Sequence, residues 1–246
     1  MVVLHIPTHG VEINGLIYEA AGAGPHPTLV LCHGLPGNEK NLDIAQAVRR
    51  AGWNAVAFNY RGSWGSPGVF RFSQNPEDAE AVLAYLRENH ERLRVDTRRV
   101  VIAGHSMGGW VTVLTASRDR GLAGAILISA ADMGKAADLP RAQVVAEMAD
   151  NMEALAGVTA ETLADQIFAM GPSARFASAG PGLARLPLLV LSADDSLAPD
   201  AEGLVAAVKA AGGHDVTAAH VATDHSWSDH RIALETTILA WLARLP

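Results

Sequence analysis

Apolar residues recur along this chain in two alternating patterns. Short runs are apolar almost without interruption: Thr28-Leu29-Val30-Leu31-Cys32, Ala55-Val56-Ala57-Phe58, Val100-Val101-Ile102-Ala103, Ala125-Ile126-Leu127-Ile128 and Leu188-Leu189-Val190-Leu191. A strand covered on both faces reads this way, which predicts a mostly parallel central sheet between layers of helices. Segments of helical period separate the runs, at 41–51, 77–91, 106–118, 200–211 and 229–243. The second starts after Pro76 with Glu77 and Asp78 in its first turn, as the helix dipole favours. Strand and helix in alternation give an α/β architecture with right-handed crossovers. Residues 1–20 differ: their apolar positions (Val11, Ile13, Leu16–Tyr18) alternate around a break at His9-Gly10, which predicts an antiparallel hairpin.

The alternation lapses once. Residues 131–185 hold two Ala-rich helical stretches, near 140–156 and 159–170, then a loop at Gly171–Gly182. So long an excursion inside a compact domain is usually functional. Met148, Met152, Leu155, Phe168 and Met170 make it read as a small helical lid, with a plain extra helical layer as the alternative. The expected organisation is a core formed by 1–130 and 186–246, with 131–185 inserted.

Composition narrows the class without naming a chemistry. Hydrophobic residues are 49% and charged residues 18%, which suits a globular chain and not a disordered one. A net charge of −7 opposes binding to phosphate backbones and anionic membranes, so neither nucleic acid nor membrane is expected as a partner. The lone Cys32 excludes an internal disulfide and fits a reducing compartment. Met1–Pro7 has no basic stretch and too short an apolar run for a signal peptide, and no run is long enough to span a bilayer. A cytoplasmic location is the expectation; the oligomeric state is left open.

Gly104-His105-Ser106-Met107-Gly108 is a G-x-S-x-G motif between a predicted strand and a predicted helix, the context that gives it meaning. The sharp turn leaves no room for side chains beside the serine, hence the flanking glycines. It lifts the Ser106 hydroxyl above the sheet, over a helix N-terminus that favours negative charge. His33-Gly34-Leu35-Pro36-Gly37 follows the strand at 28–32. In enzymes built on this motif, an N–H from such a loop and the N–H after the nucleophile form the oxyanion hole. Here these are Leu35 and Met107, since Pro36 has no N–H. His33 reads as a brace for the loop rather than as a catalyst.

A serine needs a base, and the base an orienting acid. His225 lies between the strand-like Asp215–Val221 and the last helix, where the chain order Ser…Asp…His puts the base; His230 is its rival. The five-residue gap between them misses a shared helix face, so no metal site is read there. The side chain of His105 is expected to point away from the site. The acid should follow the strand at 187–192, where Asp194 and Asp195 both stand; Asp224 and Asp229 read as a solvated loop residue and a helix N-cap.

These motifs resemble the α/β-hydrolase-fold serine hydrolases over nearly the whole chain. In that family the acid commonly stands four residues before a proline, as Asp195 does before Pro199, so the resemblance implies a triad of Ser106, Asp195 and His225. Asn59–Gly68, with Arg61-Gly62, is similar to the arginine–glycine loop of the dienelactone-hydrolase-like and prolyl-oligopeptidase-like branches, where it is a structural brace. The chain has no propeller and carries serine where dienelactone hydrolases carry cysteine, which leaves a general esterase. The implied function is hydrolysis of small to medium apolar carboxylic esters through an acyl-enzyme, with no cofactor or metal and a small-molecule ester as the partner. Trp64, Phe70, Trp227, Met148 and Met152 are the expected pocket liners. A peptidase, an acyltransferase or thioesterase on the same triad, and a non-catalytic binding protein of the same fold are the alternatives.

Overall fold

A computed structural model describes residues 1–245. Its eight strands are β1 (Val2–Thr8), β2 (Val11–Tyr18), β3 (His26–Cys32), β4 (Asn54–Phe58), β5 (Val95–His105), β6 (Gly124–Ile128), β7 (Leu188–Ala193) and β8 (Val216–Val221). They form one sheet in the order β1-β2-β4-β3-β5-β6-β7-β8. The hairpin β1–β2 is antiparallel and meets β4 antiparallel; every pairing from β4 to β8 is parallel. Both the opening hairpin and the parallel centre match the sequence pattern.

Two apolar layers account for the uninterrupted runs. Along β3, Val30 and Cys32 face one layer while Leu29 and Leu31 face the other. Along β5, Val100 and Ile102 oppose Val101 and Ala103 in the same way. The second layer is closed by α1 (Leu42–Arg50) and α8 (Arg231–Leu242), through Ile44, Val48, Leu234, Ile238 and Trp241. The first is closed by α2 (Asn75–Glu88), α3 (Met107–Arg118) and α7 (Ala198–Ala210). Strands with both faces covered can carry no polar stripe, which is why their sequences alternate in direction but not in polarity. Cys32 belongs to this interior, where burial pushes its thiol up to about 12, so it is a small core residue and no nucleophile.

The inserted region holds α4 (Arg141–Ala149), α5 (Ala160–Phe168) and α6 (Phe176–Leu183). The third corrects the sequence reading, which has a loop at Gly171–Gly182. Gly180, Pro181 and Gly182 disguise α6 as a loop, yet the two glycines are what let it dock. A Cβ on Gly182 would lie 2.2 Å from the Ser117 carbonyl oxygen on α3, and one on Gly180 would lie 3.0 Å from that of Ala207 on α7. With Phe176, Ala179 and Leu183 buried, α6 belongs to the layer on the sheet. The helices α4 and α5 pack on each other, with Val144, Met148, Leu163 and Ile167 buried. The segment between them is fastened to the loop after β4: Trp64 N–H donates to Ala154 O (2.9 Å), Ala156 N–H to Gly62 O (2.8 Å) and Phe70 N–H to Ala156 O (3.0 Å). Among the described residues, no helix is long and apolar enough to cross a membrane.

Candidate active site

The strand β5 ends at His105, and α3 begins at Met107, so the chain reverses from strand to helix within one residue, Ser106. Ser106 has φ 56° and ψ −125°, a conformation that L-residues avoid and that functional sites hold under constraint. Its N–H donates to Ile128 O on β6 (3.1 Å), and its carbonyl accepts from the N–H groups of Gly109 in α3 and of Ala131 beyond β6, which lock the turn. A Cβ on Gly104 would lie 1.9 Å from Gly108 O, and one on Gly108 would lie 2.0 Å from Cys32 O. Backbone lies against backbone on both sides of the serine, and only glycine permits it.

Asp195, not Asp194, faces His225. His225 Nδ1 lies 2.8 Å from Asp195 Oδ2, and the Asp195 side chain is 2% exposed. Asp195 Oδ1 accepts from the Leu197 N–H at 3.0 Å. Burial alone would raise this carboxyl, but the hydrogen bonds from His225, Ser129 and Leu197 outweigh it and hold it below the usual carboxylate range. It is therefore an anion at neutral pH. The hydrogen bond fixes the His225 proton on Nδ1 and leaves Nε2 as the free base. Asp194 instead accepts from exposed His220 (2.8 Å) on the edge strand β8. His230, the rival base, is the residue before α8 and pairs with Asp229 (2.9 Å). It is His230, rather than Asp229 as expected, that occupies the N-cap position.

Ser106, His225, Asp195, Leu35 and Met107 all line one cavity of about 320 Å³, with Met133, Met148 and Leu197 among the apolar walls. Met107 opens α3, so its N–H has no partner within the helix. Among the described residues, neither this N–H nor that of Leu35 donates to another protein group. The Leu35 loop is braced by His33, whose buried Nδ1 lies 2.8 Å from Gly34 O and whose carbonyl accepts from Tyr60 Oη (3.2 Å). Burial lowers His33 to about 4, so the ring is neutral and structural, as expected.

Three aromatic residues expected in the pocket lie outside it. Phe70 is fully buried, edge-on to Phe72 at 5.2 Å. Trp64 donates from Nε1 to Pro36 O (2.7 Å) and carries Lys40 over its ring. Trp227 is buried behind the site and donates to Ser129 Oγ (3.1 Å), which in turn bonds Asp195. Of the two methionines, Met148 lines the cavity and Met152 packs on the core beside it. Aromatic character marks burial as readily as it marks a pocket, and sequence spacing does not separate the two. His105 also departs from expectation: its Nε2 reaches back to His225 O at 2.8 Å. Arg61 does brace its loop, with Nε 2.6 Å from the buried Asp78 carboxylate and Nη2 2.7 Å from Glu77.

Beyond Met133 and Met148 lies a second chamber of about 420 Å³, sharing the Ala131, Glu147, Ser196 and Leu197 walls with the first. Its far side mixes apolar residues (Leu139, Val144, Ile167, Pro199) with charged ones, Asp132, Lys135, Asp138 and Asp200. Asp132 Oδ2 accepts from Phe176 N–H (3.0 Å), while Oδ1 is buried without a partner, and burial raises the pKa of the carboxyl.

The family model described as "Serine aminopeptidase, S33" matches residues 23–169. Among curated proteins, the quorum-quenching protein AidA of Acinetobacter baumannii is 31% identical over 125 residues. That alignment takes in 48% of this chain and 40% of AidA; an uncharacterized protein of Mycobacterium tuberculosis aligns over 36% of its own length. Less than half of each of these relatives is thus matched. Among solved structures, the thermostable carboxylesterase EstE1 from a metagenomic library superposes with a TM-score of 0.75 at 23% identity, over all of this chain and 89% of its own. The Pyrococcus horikoshii acylaminoacyl peptidase superposes with a TM-score of 0.76 at 16% identity, over 99% of this chain and 41% of its own. At such identities the two share a fold with this chain.

Proposed function

Because this chain belongs to the serine aminopeptidase S33 family of α/β-hydrolase serine hydrolases, we propose that it is a carboxylic ester hydrolase working through an acyl-enzyme on Ser106. The observation that carries the reading is a single cavity shared by Ser106, His225 and two free backbone donors, with His225 held by a buried carboxylate. Ser106 Oγ attacks the ester carbonyl while His225 Nε2 takes its proton. Asp195 keeps the His225 tautomer and stabilises the imidazolium. The Leu35 and Met107 N–H groups receive the charge that develops on the carbonyl oxygen, each worth about 3–4 kcal/mol in comparable sites. His225 then protonates the leaving alcohol, and a water molecule repeats the sequence on the acyl-enzyme. No step needs a cofactor. The Met133, Met148 and Leu197 walls of the cavity favour a small-molecule ester with an apolar acyl or alkyl arm.

A second reading, cleavage of an amide beside a free amine, draws on Glu147, which borders both chambers. Its carboxylate would pair with an ammonium group. Turnover of short- and long-chain p-nitrophenyl esters, an aminoacyl anilide and a thioester separates the readings, with fluorophosphonate labelling to report the nucleophile. Ester turnover that is abolished together with labelling in Ser106→Ala is the expected result. A preference for the anilide selects the second reading, and unchanged turnover in Ser106→Ala removes both.

A further inference from the structure

His105 is the residue before Ser106 in the nucleophile turn, and it is 5% exposed. It does not point into solvent. Its Nε2 sits 2.8 Å from the carbonyl oxygen of His225, 120 positions along the chain, and the two imidazole rings meet with centroids 4.6 Å apart at 44°. A carbonyl can only accept, so the proton of His105 is on Nε2. The other nitrogen, Nδ1, is buried without a partner and faces Gly34, where an added Cβ would lie 3.6 Å from it. Burial drives the ring to about 4, with the neighbouring His225 adding to the effect, so His105 is neutral at working pH. Asp195 and Arg231 are the other charged groups that act on it.

This arrangement has a consequence for the base. His225 lies on the loop between β8 and α8, and its ring is anchored to the acid through Nδ1 alone. The loop around it is held at Ser226, whose carbonyl accepts from Arg231 Nη1 (3.0 Å), and at Trp227, whose Nε1 donates to Ser129 Oγ (3.1 Å), while the bond from His105 is made to the His225 backbone itself. We infer that His105 is a positioning residue for the base: its Nε2–H holds the His225 carbonyl, and its ring backs the His225 ring. The base loop is thereby tied to the same turn that presents Ser106. Nucleophile and base are then set relative to each other by one residue adjacent in sequence to the nucleophile. The unpartnered Nδ1 is what this service leaves behind, since an apolar residue there would bury no orphan atom. The inference rests on the reading of Ser106 and His225 as nucleophile and base.

Side-chain replacement can isolate the bond. The Nε2 of glutamine is as many bonds from Cα as the Nε2 of histidine, and can donate to the same carbonyl. The Nδ2 of asparagine is one bond short, and phenylalanine keeps a ring without a donor. The experiment compares His105→Gln, His105→Asn and His105→Phe with the parent in p-nitrophenyl butyrate turnover, in the rate of fluorophosphonate labelling of Ser106 and in thermal melting. Misplacing a reacting group by about 1 Å costs about a hundredfold in rate. A partial loss of position should therefore lower kcat and labelling by about tenfold or more in the Phe and Asn variants, with KM little changed and Gln close to the parent. Should Phe not fold, the contrast of Gln with Asn carries the test. A folded Phe or Asn variant with parental kcat, or a Gln variant as slow as Asn, overturns the inference. Failure of the underlying reading looks different: the parent itself is then not labelled at Ser106, and the positioning role falls with it.

Discussion

Adding one methyl group at Gly108 separates two pieces of the site that the proposed reaction needs together. A Cβ there would stand 2.0 Å from Cys32 O and 2.7 Å from His33 O. Both obstacles are backbone and cannot rotate away. Ordinary contact begins near 3.4 Å, so the end of β3 and the start of α3 must part by about 1.4 Å. Cys32 and His33 lead directly into Leu35, and Gly108 directly follows Met107. The two proposed oxyanion donors, the Leu35 and Met107 N–H groups, sit one on each side of the gap that opens. They must lie within about 2.7–3.1 Å of one oxygen, a tolerance smaller than the displacement. Gly108→Ala should thus lose at least one donor, which lowers kcat by about 10²–10³-fold, and should lose about 1–3 kcal/mol of stability to overpacking. Ester turnover and urea denaturation measure the two effects. Gly109→Ala is the control, because its added Cβ would meet Ala130 Cβ at 2.3 Å and not the oxyanion loop. Pairing it with Ala130→Gly removes that contact and should return part of the stability. A folded Gly108→Ala enzyme with parental kcat would refute the reasoning.

Asp195→Asn should lower kcat by about 10⁴-fold by presenting the wrong tautomer of His225. Asp194→Asn, which touches only the exposed His220, should change turnover by less than about threefold; steady-state rates that reverse this order would reassign the acid. Arg61→Ala leaves the wholly buried Asp78 carboxylate without its cation and should cost about 3–5 kcal/mol in urea denaturation. The same measurement on Arg61→Met/Asp78→Asn, which keeps an acceptor for the residue 61 N–H and for Thr8 Oγ1, should return part of that loss, and equal losses in both would refute the pairing. Burial holds His33 and His105 near a pKa of about 4, below the 6.5 of a free imidazole. Between those values the unfolded chain binds more protons than the folded one, so stability rises with pH. Their contribution is complete above pH 6.5 and falls by about 1.4 kcal/mol per unit for each group as the pH drops toward 4. Denaturation midpoints that are flat from pH 6.5 to 5 would show that these rings are not buried neutral.

The parts of this molecule legible in its sequence are those where backbone touches backbone. Gly104 and Gly108 are readable because no Cβ fits within 2.0 Å of a carbonyl oxygen, so the residue type itself reports the contact. The doubly covered strands are legible for a similar reason: two apolar layers leave no polar position in Leu29–Cys32 of β3 or Val100–Ala103 of β5. The helix α6 was not legible, because the same glycine signal has two meanings. Gly180 and Gly182 mark close helix packing here, while in a sequence they mark a turn equally well.

Side-chain supports across layers leave weaker traces still. Trp227 and Phe70 are aromatic whether they face a cavity or the core, and Trp227 serves the site from behind, through Ser129 and Asp195. His105 is expected to point away from the site, yet its ring meets that of His225 and its Nε2 reaches the His225 carbonyl oxygen. Adjacency along the chain carries no sign of this, because only the fold brings the loop after β8 to that side chain. The two histidines beside the oxyanion loop and the nucleophile share one property, neutrality enforced by burial. A charged ring at either position would repel the imidazolium that the proposed mechanism creates on His225, so the interior that stabilises the fold also removes that competing charge from the site.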